Sequence, residues 1–154
     1  MREKTCCFTG HRDVPEGEKE RLYRDLNTEI SALIKKGVNI FRCGGARGFD
    51  TMAALAVLDI KKLNPKVSLV VDVPCSNQHL RWRAEERETM EYIMSVADEV
   101  NILSPHYYNG CMQYRNRYMA DRSLYLIAYQ TKAFGGSAYT VLYAKEQGLT
   151  IIKI

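Results

Sequence analysis

The feature that most constrains this chain is an alternation running its whole length: six short apolar runs separated by five longer segments of helical character. Residues 5–8, 38–42, 67–73, 99–103, 124–128 and 150–154 read as strands. The run VSLVVDV at 67–73 is apolar on both faces, as a strand inside a parallel sheet must be. Helices are expected over about 13–37, 51–63, 80–96, 112–121 and 135–147. In the first, Asp13 stands as N-cap with Glu16 three residues on, and Leu22, Leu26, Ile30, Leu33 and Ile34 recur at helical spacing before Gly37. Asn64-Pro65 halts the second helix.

Strands joined by helices of this length require right-handed crossovers. The expected fold is therefore an α/β, Rossmann-like three-layer sandwich, a mostly parallel sheet with helices on both faces. At 154 residues the chain is read as one domain, residues 1–154. No apolar run approaches the roughly 18–20 residues of a membrane span, and the first residues have no signal-peptide pattern, so a cytoplasmic protein with no membrane partner is expected. Five cysteines, none in a C-x-x-C pair, point to reduced thiols and no disulfide framework. His11, His79 and His106 match no metal spacing, and no metal site is expected. A net charge of +4 is too mild to mark a strong nucleic-acid binder by itself.

In sheets of this kind ligands bind at the carboxyl ends of the strands, beside the topological switch point. Four segments fall there: residues 9–12, 44–50, 109–117 and 135–140. They offer glycines for close backbone approach, helix starts with free N–H donors, and the cations Arg12, Arg47, Arg115 and Arg117, whose planar forks suit phosphate. The plainer alternative is that each glycine serves a tight turn and each arginine is a solvated loop charge. Neither G-x-x-x-x-G-K-[ST] nor G-x-G-x-x-G is present, which argues against a P-loop NTPase and an ordinary NAD dehydrogenase.

The segments FTGHR, GGARGFD, Gln78 to Trp82, GCMQYRNRYM and GGSAYTVLYA, in this order and spacing, together resemble the SLOG superfamily of Rossmann-like domains, and its small YpsA-like branch in particular. That superfamily includes the DNA-processing protein A, which binds single-stranded DNA, and lysine-decarboxylase-like phosphoribohydrolases. The resemblance implies a ligand site built from Gly10, Arg12, Gly44, Gly45, Arg47, Gly48, Arg115, Asn116, Gly136, Ser137 and Thr140. The phosphoribohydrolases carry a catalytic glutamate just after the last glycine motif, whereas residues 135–144 here contain no carboxylate. Their hydrolase activity is therefore not carried over, and no catalytic residue is assigned. Asp50 is the only acid in the four segments, and an N-cap of the second helix is its simplest role.

Eight of the ten tyrosines lie between Tyr107 and Tyr143, interleaved with Arg115, Arg117 and Arg122. They suit either a stacking platform, with Tyr107 or Tyr108 covering a base, or the flank of a core and a homo-oligomer interface. The leading functional expectation is a binding module or sensor for a small phosphate-bearing ligand: a nucleotide, NAD or an ADP-ribose-like molecule. A single-stranded nucleic-acid binder and a nucleotide N-glycoside hydrolase are the two alternatives.

Overall fold

The computed structural model describes residues 1–154. After a single 3₁₀ turn, strands and helices alternate throughout. The elements are β1 (Thr5–Gly10), α1 (Glu16–Lys35), β2 (Ile40–Cys43), α2 (Phe49–Lys61), β3 (Ser68–Val73) and α3 (Ala84–Val96). They continue with β4 (Glu99–Ile102), α4 (Cys111–Asp121), β5 (Tyr125–Tyr129), α5 (Gly136–Glu146) and β6 (Thr150–Lys153). Every strand pair is parallel, and the strand order is β4-β3-β2-β1-β5-β6. The chain thus winds outward from β1 to one edge, returns through α4, and winds outward again from β5. β1 and β5 lie side by side at the reversal, with Cys6 opposite Tyr125 and Gly10 opposite Tyr129.

Strand side chains alternate between two cores, as the pleat requires. Cys6, Phe8, Phe41, Leu69 and Val71 pack with α1, α2 and α3 in the larger cluster. Cys7, Leu126 and Ala128 pack with Met119 of α4 and Val141 and Ala144 of α5 in the smaller one. Leu22, Leu26, Ile30 and Leu33, at spacings of three and four, form the stripe by which α1 docks. One buried charge interrupts the apolar strands. Asp72 of β3 has no exposed surface and accepts hydrogen bonds from Arg42 of β2 (2.9 Å) and Asn101 of β4 (3.0 Å).

The structure departs from the expected boundaries in three places that bear on the site. α1 starts after Pro15, and Asp13 does not cap it; Asp13 instead forms an ion pair with Arg47 at 2.7 Å. α2 is capped by Gly48, and Asp50 sits inside its first turn with its carboxylate turned back to the Ala46 N–H (3.4 Å). α3 begins at Ala84, not near residue 80, because the residues after Pro74 form successive turns that carry Gln78 and Trp82 above the sheet edge.

Candidate functional site

The reversal of strand order leaves a cleft of about 760 Å³ above the carboxyl ends of β1 and β5. It is the crevice in which open parallel sheets hold ligands. Its walls are the β1–α1 loop, the first turn of α2, the start of α4, and the β5–α5 loop with the start of α5. Of the residues expected from sequence, Gly10, Arg12, Arg115, Asn116, Gly136 and Ser137 line this cleft. Arg47 and Gly48 line a neighbouring groove instead, together with Arg12. Gly44 and Gly45 line neither. Tyr107 and Tyr108, 60% and 44% exposed, stand on the surface away from both.

The glycines of GGARGFD have protein neighbours where an open phosphate loop would have space. Gly48 adopts φ +76°, and a Cβ there would lie 2.1 Å from the Arg12 carbonyl oxygen. The β1–α1 loop therefore crosses directly over the start of α2, and the Phe49 N–H donates to the His11 carbonyl at 3.0 Å. A Cβ on Gly44 would come within 2.7 Å of both the Arg115 guanidinium and the Asp50 carboxylate. The Gly45 carbonyl accepts a hydrogen bond from Gln78 Nε2 (2.7 Å). At Gly10 the space is taken by the Phe49 ring.

Arg115, which falls in the helix expected over 112–121, is not a solvated charge. It is a residue of α4, 4% exposed, donating to the Gly44 carbonyl and, through Nε, to Asn116 Oδ1 at 2.8 Å. Its charge faces Asp50, also buried. Burial pushes the Asp50 carboxyl above the ordinary value of 3.8, with the Arg115 charge pulling the other way, and burial likewise lowers Arg115. Thr140 is committed too: its hydroxyl, almost wholly buried, donates to the Gly136 carbonyl one turn back (2.9 Å).

Two helix starts face the cleft with open donors. α5 follows Gly135 at φ +101° and α4 follows Gly110 at φ +92°; neither has a side-chain cap, and neither carries an acid in its first turn. The N–H groups of Gly136, Ser137 and Ala138, and those of Met112 and Gln113, have no acceptor within the chain. By contrast α1, α2 and α3 all carry first-turn acids.

The charges of the cleft divide in the same way. Asp13 is held by Arg47 and Glu18 by Arg21, while Asp50 faces Arg115. Arg12 and Lys132 also line the cleft, and neither has a carboxylate partner.

Among the cleft residues that sequence reasoning did not name are Tyr129, Lys132 and His11, the last although it lies in the 9–12 segment placed at this edge. His11 Nε2 accepts the Thr131 N–H at 2.9 Å, which joins the ends of β1 and β5 and places the ring proton on Nδ1. The ring stands edge-on to Tyr129 at 5.4 Å. Partial burial, and secondarily the charge of Lys132, lower the His11 pKa below 6.5. All three lie at the ends of β1 and β5, so knowing the strand order would have found them.

A family model described as the YspA SLOG family matches residues 16–150. The chain belongs to this family. Among its relatives are UPF0398 proteins of Bacillus thuringiensis (strain Al Hakam) and Bacillus cereus (strain AH187), each 28% identical over 132 residues, covering 84% of this chain and 72% of theirs. A UPF0398 protein of Bacillus cereus strain G9842 is 29% identical over 133 residues, covering 84% and 70%. The fold is similar to that of DNA processing protein A from Streptococcus pneumoniae, with a TM-score of 0.69 at 17% identity over 97% of this chain. It is also similar to that of DNA processing protein A from Helicobacter pylori, which binds single-stranded DNA, with a TM-score of 0.67 at 21% identity over 99% of this chain. This SLOG chain spans about half the length of the first protein (49%) and 65% of the second. None of its helices is long and apolar enough to cross a membrane.

Proposed function

We propose that this SLOG domain binds a nucleotide, with phosphate held in the switch-point cleft between the starts of α4 and α5. The observation that carries the reading is the pairing of donors and charges. Two uncapped helix starts without first-turn acids converge on a cleft in which Asp13 and Glu18 are ion-paired and Asp50 is buried facing Arg115, while Arg12 and Lys132 have no carboxylate partner. Free N–H groups and the positive end of a helix dipole together favour an anion. Ser137, whose hydroxyl has no partner in the protein, supplies a further donor at the start of α5. The five free, buried thiols support a reducing, cytoplasmic setting.

Gly136→Asp tests the cradle with opposite signs on two measurements. Gly136 has no positive φ and open space around it, so the fold accepts a side chain there. An acid in the first turn favours the helix by about 0.3–1 kcal/mol. The same charge repels phosphate. Calorimetry with adenosine monophosphate should show at least about a tenfold loss of affinity, or roughly 1.4 kcal/mol, in a protein that unfolds no more easily than the parent. Unchanged affinity would remove α5 from the site.

A second reading takes the ligand to be single-stranded nucleic acid, favoured by the fold shared with a protein that binds single-stranded DNA. Binding of an oligonucleotide would fall steeply with salt, with one unit of log–log slope for about each phosphate neutralised.

A further inference from the structure

His11, the one histidine of the switch-point cleft, follows β1 directly, and its carbonyl is fixed on the start of α2 by the Phe49 N–H. Its ring reaches the other way, to the β5–α5 loop. Nε2 accepts the Thr131 backbone N–H at 2.9 Å and lies 2.8 Å from Thr131 Oγ1. No other hydrogen bond ties residues 131–134 to a neighbouring element. The loop that leads into α5 is thus hydrogen-bonded to the rest of the fold through a single imidazole.

The two groups of Thr131 respond differently to a second proton on that ring. An imidazolium carries N–H on both nitrogens and accepts nothing. The Thr131 hydroxyl can turn and accept from Nε2–H, whereas the Thr131 amide can only donate, so protonation sets the amide free. Charged and titratable groups line the cleft around the ring from every side: Arg12 and Asp13 from the β1–α1 loop, Glu18 from α1 and Asp50 from α2. Arg115 comes from α4, Tyr129 from β5 and Lys132 from the β5–α5 loop. Asp13 and Glu18 are ion-paired with Arg47 and Arg21, and Asp50 is buried facing Arg115. In the empty cleft, partial burial and then the Lys132 charge oppose the protonated ring. A phosphate dianion there reverses the balance, because it offsets Lys132 and attracts the imidazolium.

We propose that His11 is a proton-linked anion ligand: phosphate entering the switch-point cleft draws a proton onto the imidazole, which lets go of the Thr131 N–H and so frees the β5–α5 loop. This rests on the phosphate reading of the cleft and adds its regulation by pH. The sign follows from linkage. A ligand that raises the histidine binds more tightly as pH falls from the raised value to the free one, which lies below 6.5. The gain is about tenfold for a rise of one pH unit.

The test uses adenosine monophosphate and two readouts. Calorimetry at about pH 6.5, in buffers of differing ionisation enthalpy, counts the protons exchanged on binding. NMR follows the His11 ring and the Thr131 amide through a pH titration, with and without the ligand. Expected are net proton uptake, a His11 midpoint raised by about one pH unit with ligand bound, and a Thr131 amide that moves at that same midpoint. His11→Gln keeps an acceptor for the Thr131 N–H and does not titrate. Between about pH 8 and about pH 6 the parent should therefore gain about threefold to tenfold in affinity relative to this variant. The phosphate's own titration, near a pKa of about 6, releases protons on binding and is common to both proteins, so it imitates neither result. If His11→Gln fails to fold, the proton count and the NMR of the parent decide alone. Binding without proton uptake, at an unmoved His11 midpoint, would overturn the proton link and leave the phosphate site standing. A raised His11 midpoint to which the Thr131 amide is indifferent would overturn the release of the loop. No binding of adenosine monophosphate at any pH would overturn the phosphate reading itself.

Discussion

Replacing Arg115 with methionine keeps much of the volume of a buried side chain and removes its charge and donors. The Gly44 carbonyl then loses its side-chain donor, and the Asp50 carboxylate loses the cation it faces. A buried polar group left without a partner costs about 1–3 kcal/mol, and leaving a buried carboxylate without any compensating charge costs up to about 3–5 kcal/mol, the upper bound here because Asp50 faces Arg115 without an ion pair. Because Asp50 can take up a proton and so escape part of the second cost, a net loss of about 2–4 kcal/mol at pH 7 is expected. With a urea slope of about 2 kcal/mol per molar, the unfolding midpoint moves down by about 1–2 M.

The sign of the pH dependence separates this account from a simple packing defect. Burial already makes folded Asp50 hold its proton more tightly than the unfolded chain does. Such a group stabilises the fold while protonated, and this contribution is lost as pH rises from 3.8 through the raised folded value. Without Arg115 the folded value rises further, so more is lost by pH 7. The gap between variant and parent should therefore be smaller at pH 4.5 than at pH 7, and adding Asp50→Asn should close part of it. A loss under about 1 kcal/mol, equal at both pH values and unaffected by Asp50→Asn, would refute the reasoning.

Two further outcomes follow from the same geometry. Gly48→Ala places a methyl group against the Arg12 carbonyl at a residue with φ +76°, and should cost about 3 kcal/mol or more in urea unfolding. His11 should titrate below 6.5 by NMR with its neutral proton on Nδ1, and Lys132→Ala should move the midpoint back up. Since the unfolded histidine takes up a proton first, this group's contribution to stability is complete above 6.5 and is lost as pH falls.

The fold was legible because hydrophobic periodicity reports burial directly. A six-strand, five-helix alternation admits few arrangements once crossovers must be right-handed. The site was only partly legible. Sequence spacing placed Gly10, Arg12, Arg115, Asn116, Gly136 and Ser137 on the correct edge of the sheet, since that edge is fixed by strand direction. It did not reveal which arginines are already engaged. Arg47 reads like Arg12 in sequence, yet it is held by Asp13 and Glu86 from two other elements. The glycine-rich stretch misleads for a related reason. A glycine that admits a phosphate and one that admits a neighbouring carbonyl carry the same letter, and only the position of Arg12 over Gly48 tells them apart. The role of Lys132 depends on β5 lying beside β1, a consequence of strand order that no local pattern encodes.

The crowding at Gly10, Gly44 and Gly48 has a consequence for how such a domain can diverge. On that side of the cleft the loops are interlocked, so an inserted residue in one must displace the other. The opposite rim has room: a side chain at Gly136 meets nothing within 4 Å, and Gly110 and Gly135 are equally uncrowded, though their φ of +92° and +101° favours glycine at those two turns. Insertions, deletions and new side chains are therefore tolerated on the loops before α4 and α5, and there a descendant of this chain can acquire a different ligand without rebuilding its core. A library randomised at residues 106–109 and 132–134 should retain folded members far more often than one randomised at residues 10–12 and 44–48.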